Sequence, residues 1–290
     1  MAQIKPIDGI EREELSRLND VRRKIAVVGA GALGGAVAEG LYLKGQDVMV
    51  YDTSAERRLD MGDKGISVAD EMDEALAYGE IVFWALKPHL VLSVIESNSD
   101  KLSGKLCCSL AACVDLELLK KSASDARWTR AMTNICASVC KAFTGYSLST
   151  EVTEKDKKFL SEVLSCIGLA REVSEGDLDG ITGISGSGPA YVFTILESFI
   201  QGGLASGLKA DVSFEAAAMT LIGSAELALR GGEHPAAYKD RVCTPAGTTI
   251  DALRVLESGG LRTSIIEAVV TASEKGRSGS RALREKLSSS

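Results

Sequence analysis

The stretch KIAVVGAGALGGAVAEGLYLKGQDVMVYD, residues 24–52, restricts the fold more than any other part of the chain. KIAVVG is a short apolar run, ALGGAVAEGLYLKG has helical spacing and is closed by Gly45, and DVMVYD is a second apolar run. A strand, a helix and a strand of these lengths imply neighbouring parallel strands joined by a crossover.

The same alternation continues downstream. Helical spacing near Glu56 to Met61 precedes ISV, and spacing near Asp70 to Ala77 precedes EIVFWAL. Pro88 opens a helix into Ile95, KLCCSLA reads as a strand, DLELLKK as a helix, and RWTRAM and FTGYSLS as further strands. A helix over Thr153 to Ile167 and the short REV at Arg171 to Val173 end the series. The expected fold is therefore α/β, a Rossmann-type doubly wound parallel sheet over residues 24–174.

Beyond SEGDLDG the texture changes. From Pro189 to Leu204 apolar residues (Val192, Phe193, Ile195, Leu196, Phe199, Ile200) fall on almost every side of a helix. Such a helix must be covered all round. Alanine-rich helices follow over Ser213 to Leu229, Thr248 to Glu257 and from Leu261 onward, so residues 175–290 read as an all-α domain. That domain is too small to cover one fully apolar helix by itself, which predicts an interleaved homodimer, with a larger assembly of dimers left open.

Composition narrows the function classes. A net charge of −7 argues against nucleic acid as the main partner, because phosphate binding needs a basic face. No uninterrupted apolar run reaches the roughly 18 residues that span a bilayer, so no membrane partner is expected. Seven cysteines without a C-x-x-C pair, beside only two histidines, read as buried free thiols in a reducing compartment, with no metal site. Residues 1–23 carry Asp8, Glu11, Glu13, Glu14 and Asp20 among basic residues, unlike a signal or transit peptide, and read as a solvated helical extension. A cytoplasmic location follows by default.

GAGALG, Gly29 to Gly34, lies between a strand and a helix, the setting the dinucleotide fingerprint requires. Gly29 permits the tight turn, Gly31 lets the backbone approach a pyrophosphate, and Gly34 allows close packing of helix on strand. The helix start, with Ala32 and Leu33, offers free N–H groups and a positive dipole end. Asp52 ends the second strand where a carboxylate would accept from ribose hydroxyls and repel a 2′-phosphate. Arg57 and Arg58 follow closely enough to offset that repulsion, so the cofactor is written NAD(P)H, with Asp52 leaning toward NADH.

TGISGSGPAYVF, residues 182–193, together with HPAAYKDRVCTPAGTTIDALRVLE, residues 234–257, resembles the pyrroline-5-carboxylate reductase family. The likeness also takes in GAGALG, LKP at Leu86 to Pro88, SLAACV at Ser109 to Val114 and MTN at Met132 to Asn134. It implies NAD(P)H-dependent reduction of the cyclic imine 1-pyrroline-5-carboxylate to proline, with Leu86, Lys87, Pro88, Ala111 and Asn134 at the cofactor. Three departures bear on backbone shape. Cys113 stands where the family usually has glycine, Ile135 and Cys136 where it has proline nearby, and Ala246 where a second glycine is common.

TPAGTT, residues 244–249, fits the substrate this resemblance implies. A helix starting near Thr248 would present backbone N–H groups of Ala246, Gly247 and Thr248 to a carboxylate, with Thr244 adding a hydroxyl. Thr249 matches the family threonine that hydrogen-bonds the substrate nitrogen, which makes it the candidate catalytic residue. Taken without its flanks, the same segment is an ordinary helix cap. Ser185, Ser187 and Gly188 in SGSGP fit a turn against the nicotinamide or at a domain junction as well as a close helix contact. His234 is read as closing its loop. Two other readings stay open: a reductase of another small cyclic imine or related carboxylate, and a dinucleotide-binding sensor without turnover.

Overall fold

The computed structural model describes residues 22–288. The expected N-terminal extension lies outside them except for its last two residues. The chain forms two compact units. One holds the described residues up to Pro189 together with those from Val269 onward, and the other holds Ala190–Ala268.

The first unit carries, in chain order, β1 (Lys24–Val28), α1 (Ala32–Leu43), β2 (Asp47–Tyr51), α2 (Ala55–Asp63), β3 (Ser67–Val68), α3 (Met72–Tyr78), β4 (Ile81–Trp84), α4 (Pro88–Glu96), β5 (Leu106–Ser109), α5 (Leu116–Ser122), β6 (Arg127–Met132), β7 (Ala142–Leu148), α6 (Glu154–Cys166) and β8 (Gly168–Glu172). The strands make one sheet in the order 3-2-1-4-5-6-7-8. β1 pairs with both β2 and β4, and β4 continues through β5 to β6, all in parallel. The doubly wound sheet expected from the alternation is thus present.

One pairing departs from that pattern. β7 runs antiparallel to β6, and β8 follows β7 in parallel. Only residues 133–141 separate β6 from β7, and five of them, Ile135–Val139, form a 3-10 turn. A parallel crossover needs about a dozen residues or more, so the chain can only turn back.

Alternate residues of the central strands feed two cores. Ile25, Val27, Ile81, Phe83, Leu106 and Cys108 join Val37 and Leu41 of α1 and Leu160 and Val163 of α6 on one face. Ala26, Val28, Val82, Trp84 and Cys107 join Val91, Ile95, Leu119 and Trp128 on the other. Burial on both faces is what makes these strands continuously apolar. It also pushes the Cys107 and Cys108 thiols up to about 12, so both are inert packing groups. All seven cysteines are free.

The second unit is helical: α8 (Gly188–Ala205), which follows the short α7 (Leu178–Ile181), then α9 (Ala210–Gly231), α10 (Pro235–Val242), α11 (Thr248–Ser258) and the start of α12 (Leu261–Ser288). No residue of α8 is buried within the single chain, and Phe193 and Phe199 are 56% and 50% exposed. The all-round burial expected of this helix is not supplied by its own chain. By length and composition alone α9 could cross a membrane, although no unbroken apolar run does so in the sequence; it contains Glu215 and Glu226.

The last part of α12 belongs to the sheet-bearing unit, and three features tie it there. Cys113 Sγ contacts the Gly276 carbonyl at 3.4 Å, and a Cβ on Gly279 would stand 2.7 Å from the same sulfur. Arg284 pairs with Asp115, whose side chain is almost fully buried and also accepts the Leu118 N–H at the start of α5.

Gly40 of α1 faces the 3-10 turn so closely that a Cβ there would overlap the Ala137 carbonyl oxygen and lie 3.0 Å from Ile167 Cγ2. Gly40→Ala is expected to destabilise the protein by about 1–3 kcal/mol through overpacking. A lowered urea midpoint at an unchanged slope would register this.

Candidate functional site

In a parallel sheet the carboxyl ends of the strands gather along one edge, and ligands bind where the strand order reverses. Here that point lies between β1 and β4. Gly29, at the end of β1, has φ of 103°, a conformation favourable to glycine, and its N–H reaches the Tyr51 carbonyl at 2.7 Å. A Cβ on Gly34 would overlap the Gly29 carbonyl oxygen and come within 2.8 Å of Ala85 Cβ, so helix α1 rests directly on the turn. A Cβ on Gly31, by contrast, would meet no protein atom within 4 Å.

Gly31 is the N-cap of α1 and offers no capping side chain. The first intrahelical bond runs from the Gly35 N–H to the Gly31 carbonyl at 2.8 Å. The N–H groups of Ala32, Leu33 and Gly34 therefore begin the helix without intrahelical acceptors, beside the open side of Gly31. This is an anion cradle built from backbone.

Asp52 closes one side of the cradle and is 6% exposed. One carboxylate oxygen accepts the Ala30 N–H at 2.7 Å and the other accepts the Ser54 N–H at 2.8 Å. Arg57 reaches the first oxygen at 3.4 Å, while Arg58 donates to the Asp52 carbonyl at 2.6 Å. The carboxylate thus ties the glycine turn to the start of α2 and has a cation beside it. Ser54 also caps α2 by accepting the Arg57 N–H. A small hydroxyl just before a helical run is the sequence signal for such a cap.

The other strand ends contribute along the same edge. Leu86 and Lys87 follow β4, with Lys87 exposed as the N-cap of α4 and Pro88 in the first turn. Ala111 follows β5, is buried, and donates its N–H to Ser109 Oγ at 3.3 Å. Asn134 follows β6 and is engaged on all sides. Its amide nitrogen donates to the carbonyl and the hydroxyl of Ser185, both at 3.0 Å, and its oxygen accepts the Cys136 N–H at 2.9 Å. Ser185 lies in a π-turn, Thr182–Gly186, that leads through Ser187 and Gly188 into α8.

Two of the three sequence departures keep the backbone that glycine would favour. Cys113 has φ of 67° and Ala246 of 54°. Residues 135 and 136, where proline was expected nearby, begin the 3-10 turn capped by Asn134.

The helical unit holds the threonine-rich loop. Gly247 N–H bonds the Thr244 carbonyl at 3.0 Å, which closes a turn with Pro245 second and Ala246 third. Proline second and positive φ third describe a type II turn. A Cβ on Gly247 would overlap Thr244 Oγ1, so no other residue fits without a shift. Helix α11 then starts at Thr248 with Gly247 as an N-cap that supplies no side chain. Of the N–H groups of Ala246, Gly247 and Thr248 expected to face a carboxylate, Gly247's is taken by the turn and Thr248's belongs to the unpaired first turn of α11, as does that of Thr249. The Thr249 side chain is half-buried in that turn, and Thr244 is exposed. His234 caps α10, its Nδ1 accepting the Ala236 N–H at 3.2 Å.

Residues 175–278 match the family model for pyrroline-5-carboxylate reductase dimerisation, and residues 24–113 match that for coenzyme F420-dependent NADP oxidoreductase. The chain is 34% identical over 262 residues to pyrroline-5-carboxylate reductase of Escherichia coli, covering 88% of this chain and 97% of that protein. It is 33% identical to the enzyme of that name from Pisum sativum, covering 87% and 94%. Among solved structures, pyrroline carboxylate reductase of Plasmodium falciparum with NADP bound superposes with a TM-score of 0.81 at 27% identity, covering 89% of this chain and 98% of that one. The pyrroline-5-carboxylate reductase of Coxiella burnetii gives 0.78 at 30% identity, covering 90% and 99%.

The Asp52 geometry gives a test in which two effects separate. Asp52→Ser removes a negative charge near the position of a 2′-phosphate. The ratio of kcat/KM with NADPH to that with NADH is expected to rise about tenfold, equivalent to roughly 1.4 kcal/mol of relieved repulsion. It also leaves two backbone N–H groups without their acceptor, at about 1–3 kcal/mol of stability. Kinetics with both cofactors and a thermal midpoint check the two parts. A lower midpoint with an unchanged ratio would leave Asp52 as a brace alone.

Proposed function

This chain belongs to the pyrroline-5-carboxylate reductase family, and we propose a division of labour among its residues in the reaction of that family. The enzyme reduces 1-pyrroline-5-carboxylate to proline, with NAD(P)H as the hydride donor. The observation that carries the residue assignment is the pairing of two backbone cradles on one chain, at Gly29–Gly34 and at Thr244–Thr249.

Cofactor binding is assigned to residues 24–174 and substrate binding and dimerisation to residues 175–290, although residues 175–189 and those from Val269 onward pack with the sheet-bearing unit. Gly29, Gly31, Ala32, Leu33 and Gly34 hold the pyrophosphate, an assignment supported by the open side of Gly31 and the unpaired start of α1. Asp52 sets the adenosine end together with Arg57 and Arg58. With Arg57 against its carboxylate, Asp52 excludes a 2′-phosphate less strongly than a lone carboxylate would, which favours use of both cofactors. Leu86, Lys87, Pro88, Ala111 and the loop of Asn134 line the rest of the cofactor cleft. The turn at Ser185, Ser187 and Gly188 borders the nicotinamide.

The substrate is a small anion with an electrophilic C=N carbon. Its carboxylate is held by Thr244 and by the loop of Ala246, Gly247 and Thr248, at the positive end of α11. Thr249 Oγ1 hydrogen-bonds the ring nitrogen. Hydride addition to carbon converts an iminium into an amine, so the nitrogen must carry a proton or acquire one, and a hydroxyl supports either course without a strong base.

The exposed apolar residues of α8 support a homodimer in which a second copy covers this helix, with a larger assembly of dimers as an extension. The enzyme works in the cytoplasm, apart from nucleic acid and membranes.

Cofactor consumption with pyrroline-5-carboxylate, and separately with piperideine-carboxylate, tests the reaction and its ring size. Turnover of neither would sink the assignment. Thr249→Val keeps the shape and deletes the hydroxyl. It is expected to lower kcat/KM by about 10- to 150-fold, the worth of one hydrogen bond to a charged group, with cofactor affinity and stability unchanged. No loss would make Thr249 a helix residue only. For the dimer, Phe199→Asp is expected to give insoluble or unfolded protein, since an unpaired buried charge costs several kcal/mol. A soluble active monomer would contradict it.

A further inference from the structure

The π-turn Thr182–Gly186 is an interruption in an otherwise continuous helical run from Leu178 to Ala205. Its closing bond is from the Ser187 N–H to the Thr182 carbonyl at 2.9 Å, five residues apart. Pro189 supplies a physical reason for the interruption. In an α-helix the Ser185 carbonyl would accept from residue 189, but proline has no N–H, and its ring clashes with the carbonyl four residues back. Ser185 is 8% exposed, so a carbonyl left without a donor there would carry a desolvation cost.

Asn134 supplies the missing donor. Its amide nitrogen donates to the Ser185 carbonyl and to the Ser185 hydroxyl, which in turn donates to the Phe143 carbonyl at 3.0 Å. Two acceptors on one residue thus engage the amide, which has two hydrogens to give. The side chain is 9% exposed and its oxygen already caps the 3-10 turn. Holding a cofactor through this amide would require breaking bonds that the turn needs.

We infer that Asn134 is a positioning residue: it acts on the reaction through Ser185, by satisfying the carbonyl that Pro189 orphans and so holding the π-turn in the shape the nicotinamide meets. This rests on the proposal above that the turn borders the nicotinamide. The three residues form one device, in which the proline creates a need and the asparagine, from the loop after β6, meets it.

The discriminating variant is Asn134→Ser. Serine can still cap the 3-10 turn but is too short to reach Ser185. In otherwise native enzyme it is expected to lower kcat about tenfold, while the Kd of NADPH, titrated by fluorescence without imine, stays within about twofold. With Pro189→Ala as background, residue 189 regains an N–H for the Ser185 carbonyl, and the same substitution is expected to cost less than about threefold. A Kd that weakens in step with kcat would overturn the inference in favour of direct cofactor contact. So would an equal kcat loss in both backgrounds, or an unchanged kcat with only a lower thermal midpoint. Should Asn134→Ser fail to fold natively, folding restored by Pro189→Ala supports the link, and failure in both backgrounds overturns it. Wild-type enzyme that turns over no cyclic imine would sink the reductase assignment itself, a result distinct from any of these.

Discussion

The close seating of α1 on the Gly29 turn sets the position of the whole cofactor edge. Because no side chain separates Gly34 from the Gly29 carbonyl or from Ala85, the helix begins at the very edge of the sheet, between β1 and β4. Its unpaired N–H groups then stand where the strand order reverses. The buried Asp52 carboxylate fixes the same turn from the other side through the Ala30 N–H. A bulkier residue at position 34 would lift the helix and separate the dipole end from the strand ends that complete the site.

Much of this was legible in the sequence, for a physical reason. Strands buried on both faces must be apolar throughout, and helices between them repeat at a different period, so the alternation through residue 132 announces a parallel sheet. The reversal at β7 was not anticipated, although the short link at residues 133–141 carried the signal. Helix α10 and the π-turn were not anticipated either. α10 has few apolar residues to show a period, and the π-turn depends on a bond to Asn134 that is distant in sequence. Asp52 shows the limit of motif reading. Its position fits a ribose acceptor, yet its partners were decided by folding, because the carboxylate serves two backbone donors before any ligand.

The departures from family glycines at Cys113 and Ala246 show how far backbone geometry is dictated from outside a residue. Positive φ at a residue with a Cβ costs about 1–2 kcal/mol, yet both positions adopt it. At Ala246 the positive φ belongs to a turn in which Pro245 has its own φ fixed and Gly247 lies close against Thr244. At Cys113 the thiol meets the Gly276 carbonyl and lies against Gly279, where a Cβ would stand 2.7 Å from the sulfur.

That contact belongs to the return of α12 to the sheet-bearing unit, which is therefore discontinuous in the chain. During synthesis, residues up to Pro189 leave the ribosome long before Arg284. Until then Asp115 has no Arg284 partner and the sulfur of Cys113 has no helix against it. The sheet can form early, but this corner of it can be sealed only once Arg284 has been made. A nascent chain halted within the helical unit would hold an unsealed corner, and a truncation before residue 269 would make that state permanent.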